Sequence, residues 1–125
     1  MATALRQMQG EVSEREDLLD GRVRVDLDGD AEGWTVTASF GWRRGREGEV
    51  VLEEGELTLA SDGGELYASI DGGAVEADGE IGAAHVRADF VVEGTDGDWP
   101  APVARIVCTL VIGTEQWSGE LRLGG

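Results

Sequence analysis

From Arg22 to the C-terminus the chain alternates apolar and polar residues with period two, broken at short intervals by turns rich in Gly and Asp. The strongest instance is Gly33–Trp42, GWTVTASFGW, where Trp34, Val36, Ala38, Phe40 and Trp42 share one parity and Thr35, Thr37, Ser39 and Gly41 the other. β-Branched and aromatic residues on alternating positions are the signature of a strand with one buried face. Before it, Val23, Val25 and Leu27 alternate with Arg22, Arg24 and Asp26, and Asp28-Gly29-Asp30 supplies a turn. After it, Arg43–Gly48 reads as a hairpin loop.

Glu49–Ala60 departs from strict alternation, because Val50 and Leu52 lie on one parity and Leu57 and Leu59 on the other. A β-bulge at Glu53-Glu54-Gly55 would return all four to one face. Ser61–Gly64 turns the chain, and Leu66, Ala68 and Ile70 form the next inner face. Asp71-Gly72-Gly73 reads as a further tight turn, leading to Val75, Ala77, Gly79 and Ile81 with an acidic outer face. Gly82–Ala84 connects to Val86, Ala88, Phe90 and Val92, and a longer loop spans Gly94–Pro102. Val103–Ile112 is the most apolar stretch, with Ala104, Ile106, Cys108, Leu110 and Ile112 on one face. Gly113-Thr114 turns it into a last strand facing inward through Trp117, Gly119, Leu121 and Leu123.

About eight strands joined by short loops predict an all-β, antiparallel meander. Two architectures suit it, a closed up-and-down β-barrel and a two-sheet sandwich or jelly roll. The barrel is favoured because closure removes edges, and the chain has neither Lys nor strand Pro to guard them. Residues 1–20 differ in character. Leu5, Met8, Val12 and Leu19 follow a weak helical spacing, Ser13–Glu16 fits a capping box and Gly21 a helix end. The expectation is therefore an N-terminal arm, partly helical or mobile, followed by one all-β domain over 21–125.

Charge changes the picture most. The chain of 125 residues carries 26 acidic and 10 basic side chains, a net charge of −16, and all its cations are Arg. Absence of both Lys and Asn fits a GC-rich genome, and an acidic surface suits a salt-adapted cytoplasm that screens self-repulsion. A surface of this sign repels phosphates and anionic membranes, so neither a nucleic-acid nor a membrane partner is expected. No stretch has the length of a signal-peptide core or a membrane span, which makes the cytoplasm the expected location.

Candidate chemistry is sparse. Asp26, Asp28 and Asp30 imitate a calcium loop, but Ala31 and Thr37 occupy the positions that need Gly and a bidentate Glu. Asp96 and Asp98 invite the same reading and the same discount. His85 is the sole imidazole, on an outward parity with no arranged nucleophile, and Cys108 sits in an apolar run as a small hydrophobe. No metal or cofactor is expected. A hydrolase using carboxylates and His85 ranks third among the functions, behind two others.

The leading function is a non-catalytic binding or assembly module working through protein–protein contacts, including self-association or a place in a larger complex. Arg43, Arg44 and Arg46 form the one cationic cluster and suit bidentate pairing with carboxylates, and Trp99, between polar residues and Pro100, is a candidate anchor. The alternative is a barrel that binds a small apolar ligand between Trp34, Phe40, Trp42 and Trp117.

Overall fold

The computed structural model describes residues 4–18, 21–45, 47–78, 83–99 and 103–124. Eight strands follow one another as β1 (Ala4–Asp17), β2 (Arg22–Ala31), β3 (Trp34–Arg44), β4 (Val50–Ser61), β5 (Gly64–Asp78), β6 (Ala83–Gly97), β7 (Arg105–Ile112) and β8 (Gln116–Gly124). Each pairs antiparallel with its successor, and β1 pairs with β8, so the meander closes into a barrel. The sheet is continuous around the molecule, which sets aside the two-sheet sandwich.

Alternation decides what fills the interior. The inward parity of β3 buries Val36, Ala38, Phe40 and Trp42, and that of β6 buries Ala84, Val86, Ala88 and Phe90. Phe40 and Phe90 meet edge to face across the middle, with ring centroids 6.0 Å apart and planes at 62°, a favoured arrangement for the ring quadrupoles. Small Ala side chains beside these large rings let the opposing faces interlock. Among the described residues no polar or charged side chain is buried.

The bulge in β4 falls at the expected place. Gly41 pairs with Glu54 but Trp42 pairs with Leu52, leaving Glu53 as the extra residue. Val50 and Leu52 then pack on the same core as Leu57 and Leu59.

Several expectations are overturned. The N-terminal segment is neither helix nor loose arm: residues 4–17 form the strand that closes the barrel. Its inner parity holds Met8, Gly10 and Val12, a row too thin in large apolar residues to register as a strand. Asp28-Gly29-Asp30 is not a turn but the body of β2. The reversal lies at Glu32-Gly33, between paired Ala31 and Trp34, and both turn residues take positive φ, 49° and 100°, as tight hairpin turns require. Asp71-Gly72-Gly73 is an irregularity inside β5, where the register with β6 shifts between Ile70 and Gly72. The two short strands expected on either side of it are one. β6 likewise continues to Gly97, into the expected loop, and Ala104 is exposed ahead of β7. Gly79 and Ile81 lie outside the described residues.

Gly10 and Gly29 face each other across β1 and β2, and the Trp117 indole lies over Gly29. A methyl group on Gly29 would sit 2.7 Å from Trp117 Cζ2 and 2.1 Å from the Gln9 carbonyl oxygen. The indole Nε1 donates to the Asp28 carbonyl oxygen at 3.1 Å, fixing the ring in that slot. Gly29 thus makes room for the largest side chain on β8 at the closing seam, while Gly10 lets the β1 and β2 backbones approach closely. Gly29→Ala is expected to lower stability by about 1–3 kcal/mol, the usual range for overpacking, measured by urea denaturation; unchanged stability would show that the slot is not tightly filled.

Candidate protein-interaction site

The barrel has two ends, and the candidate contact residues divide between them. One end carries the β2–β3 and β4–β5 turns, and there Trp34 opens β3. Its ring meets Trp99 with centroids 5.0 Å apart at 55°. Arg6, on the inward parity of β1, places its guanidinium carbon 3.5 Å from the Trp34 ring centroid. The same guanidinium donates to the carbonyl oxygens of Ala31 at 3.2 Å and Glu32 at 2.8 Å. Glu32 in turn accepts the Gln7 backbone N–H through Oε2 at 2.9 Å. Cation, ring and turn form one cap, and Arg6 spends its hydrogen bonds inside the molecule. Trp99 belongs to this cap: it is half-buried, and its Nε1 is shielded from water without a hydrogen-bond partner.

The other end carries the β3–β4 loop. Arg43 and Arg44 stand exposed at the end of β3, while Arg46 lies outside the described residues. Two arginines of β2, which the sequence pattern marks only as outward-facing, join them. Arg22 pairs directly opposite Arg43, and Arg24 opposite Gly41. Like charges directly opposite on neighbouring strands disfavour pairing, and here an acid from the bulge offsets part of that: Arg43 Nε lies 2.8 Å from Glu53 Oε1. The grouping of Arg22, Arg24, Arg43 and Arg44 depends on the true position of the β2–β3 turn. Trp99 is at the opposite end, so the structure does not bring the expected contact residues into one patch.

The ladder near the arginines is only partial. β4 pairs with β5 only from Glu56 to Ser61, against Ser69 to Gly64. Residues 50–55 of β4 have ladder partners on β3, and residues 70–78 of β5 on β6, with none across the seam. The seam between them is closed from within by apolar side chains: a methyl on Gly73 would lie 3.0 Å from Leu52 Cδ2. From outside, Glu53, Glu54 and Glu56 line one lip, and Asp71, Gly72, Gly73, Ala74 and Glu76 the other, all exposed. Val51, 47% exposed, lies beside Arg43 on the β4 lip. A pocket of about 220 Å³ opens where the strands part, lined by Arg24, Ser39, Glu53 to Glu56, Ser69 and Ile70.

The four aromatics of the ligand-binding alternative do not share a wall. Trp34 is in the cap, Phe40 packs on Phe90, Trp42 is buried in the core, and Trp117 is bonded to Asp28. A larger, open groove of about 750 Å³ lies on the outer surface over β8, β1 and β2, lined by Gln9, Glu11, Asp28, Asp30, Gln116 and Ser118 among others. Among the described residues no group of His, Cys, Asp and Glu is arranged to hold a metal ion. His85 is exposed on β6, opposite Glu76 and Val111. Cys108 is buried, and burial pushes its thiol from 9.0 up to about 12. No helix among the described residues is long and apolar enough to cross a membrane. No family model, curated protein or solved structure matches the chain.

Two outcomes test this description. A buried N–H without a partner costs about 1–3 kcal/mol, so Trp99→Phe, which keeps the ring and removes the donor, is expected to hold or raise stability, whereas Trp99→Ala lowers it by roughly 1–3 kcal/mol. Equilibrium unfolding of both variants decides the point; equal losses would mean that the indole N–H is satisfied. Cys108 makes a second test. A thiol whose folded pKa is raised favours the folded state below its unfolded value, and that contribution is lost as pH rises from 9.0 toward about 12. The hydroxyl of exposed Tyr67, raised first by its hydrogen bond to Glu65 and then by desolvation, acts with the same sign above 10.0. Cys108→Ala should therefore flatten the alkaline loss of stability, and native Cys108 should resist thiol reagents at neutral pH until the barrel unfolds; rapid labelling of the folded protein would contradict its burial.

Proposed function

We propose that this barrel is a non-catalytic binding or assembly module that acts through protein–protein contacts in the cytoplasm. The observation that carries this reading is the grouping of Arg22, Arg24, Arg43 and Arg44 on two adjacent strands of a chain with net charge −16. Arginine forms paired hydrogen bonds with carboxylates, and a local cationic surface on an acidic body sets the orientation in which an acidic surface can approach. The filled interior supports the same reading from the other side, since Phe40, Phe90 and Trp42 occupy the space a small apolar ligand would need. Exposed Val51 beside Arg43 adds an apolar contact to the cationic one.

Size-exclusion chromatography with light scattering, in low and high salt, tests the reading. The expected result is an assembly or a co-purifying protein that weakens as salt rises, because exposed ion pairs are screened. Replacing Arg43, Arg44 and Arg46 together by Ser is expected to weaken that assembly while leaving the unfolding midpoint within about 0.5 kcal/mol of the parent, as for surface changes generally. A strict monomer with no partner at any salt concentration overturns the proposal.

A further inference from the structure

Two bodies of net charge −16 repel, so copies of this chain approach best where the wall carries balanced charge. β7 lies on such a wall. Its sequence, RIVCTLVI, includes no carboxylate, and Arg105, Val107, Thr109 and Val111 point outward. β3 also lacks acids, but Asp26, Asp28, Glu54 and Glu56 flank it on β2 and β4. Beside β7 the neighbours are mixed. Three rows cross the outer face from β6 through β7 to β8: Asp89–Val107–Arg122, Arg87–Thr109–Glu120 and His85–Val111–Ser118. Val111 is 43% exposed there, and Val107 is half-buried.

In the two charged rows the signs run in opposite order. Asp89 on β6 is level with Arg122 on β8, and Arg87 on β6 with Glu120 on β8. Within one copy these residues stand two strands, about 10 Å, apart, too far for a direct ion pair. Among the described residues neither Arg87 nor Arg122 has an ion-pair partner. Glu120 accepts an amide hydrogen bond from Gln7 Nε2 at 3.1 Å. A two-fold axis laid along β7 exchanges β6 with β8 and keeps each row at its own level. Asp89 then faces Arg122 of the second copy, Arg87 faces its Glu120, and symmetry repeats both pairs. Val107 and Val111 meet their own copies along the crest. The barrel is convex, so β6 and β8 fall away from the contact, and long arginine and glutamate side chains span the wider gap. Arg105 stands at the end of its row and is turned aside to Asp71 at 3.2 Å. An axis laid across the strands also pairs the charges, but it sets Arg105 against Val111 and parts the valines.

We propose that the outer face of β6, β7 and β8 joins two copies of this chain in a symmetric dimer. Arg87 pairs with Glu120 and Asp89 with Arg122 across the two-fold axis, and Val107 and Val111 form the apolar centre. Opposite charges on matched rows fix the register and turn away surfaces that are uniformly acidic. Three strands of a convex wall bury less than the about 800 Å² per partner of a standard interface, so the dimer is weak and depends on concentration. This contact goes beyond the arginine patch of β2 and β3 and does not use it.

Sedimentation equilibrium of the full chain, at concentrations up to about 1 mM, is expected to show reversible association of monomer to dimer. The dimer should tighten as salt rises, because screening removes the repulsion between two acidic bodies. Replacing Arg43, Arg44 and Arg46 together by Ser should leave this dimer in place. Val111→Glu and Arg87→Glu, both at exposed positions, should each weaken it roughly tenfold or more without moving the unfolding midpoint. Arg87→Glu combined with Glu120→Arg in one chain keeps the native net charge and should restore the dimer. A double variant that associates no better than Arg87→Glu alone overturns the proposed axis and its ion pairs. A monomer at every concentration and salt overturns the dimer, and if a partner protein is still held through Arg43 and Arg44, the arginine-mediated contact stands without it.

Discussion

Closure through β1 is the constraint on which the rest of the molecule depends. Without that strand, β2 and β8 would be edges of an open sheet, and the inward faces of both would border water. With it, Gln9 to Asp17 pairs with β2 while Ala4 to Glu11 pairs with β8, so one strand satisfies two edges in staggered halves. Fitting it there demands local sacrifices. Gly29 gives up a side chain so that Trp117 can lie across the junction, Gly10 does so where the β2 backbone crowds it, and Arg6 replaces an apolar residue at the mouth because Trp34 and two carbonyl oxygens can receive its charge. A glycine costs backbone entropy in a strand, and here the indole that covers it returns buried area and a hydrogen bond.

Those sacrifices explain why the fold was legible in the sequence while its closing strand was not. β3, β6 and β7 carry apolar residues, many of them large, on their inward positions, and the period-two signal is strong enough to give class, topology and inner face. β1 has Arg6 and Gly10 on its inward parity, so Leu5, Met8 and Val12 read equally well as a helical stripe. The residues that make closure possible are the ones that erase the pattern. At Asp28-Gly29 and at Asp71-Gly72-Gly73, turn chemistry predicts a reversal that the chain does not make. In the first case the glycine serves Trp117, and in the second it accompanies an irregularity in a continuous strand. One missed strand and one divided strand cancel, which is how the strand total agrees with the structure while two of its members do not.

The candidate site was legible only in part for a related reason. Arg43, Arg44 and Arg46 are adjacent in sequence, and Trp99 stands out by composition, so both are visible without a structure. Arg22 and Arg24 join the first two only through the hairpin register, which a misplaced turn conceals. Trp99 stands out as a contact residue by type, but its ring packs against Trp34 within the cap. The seam could not be foreseen at all. It arises from a mismatch in length, since β5 and β6 run together for fourteen paired positions while β4 matches only the first six residues of β5.

That mismatch gives the barrel its asymmetry. A closed sheet with every edge paired presents only side chains, and on this chain most of the charged ones are carboxylates that keep molecules apart. Beyond the β7 face, function in such a molecule has two places to reside: where the charge changes sign, and where the ladder between β4 and β5 stops short. Both lie toward the end of the barrel away from the Arg6–Trp34–Trp99 cap, one on β2 and β3 and the other between β4 and β5. The cap end gathers its cation and its rings into internal contacts, and the opposite end presents arginines and an exposed Val51 to solvent. A packed interior explains the fold's stability, and the uneven distribution of charge and pairing over its wall explains which side of it can engage a partner.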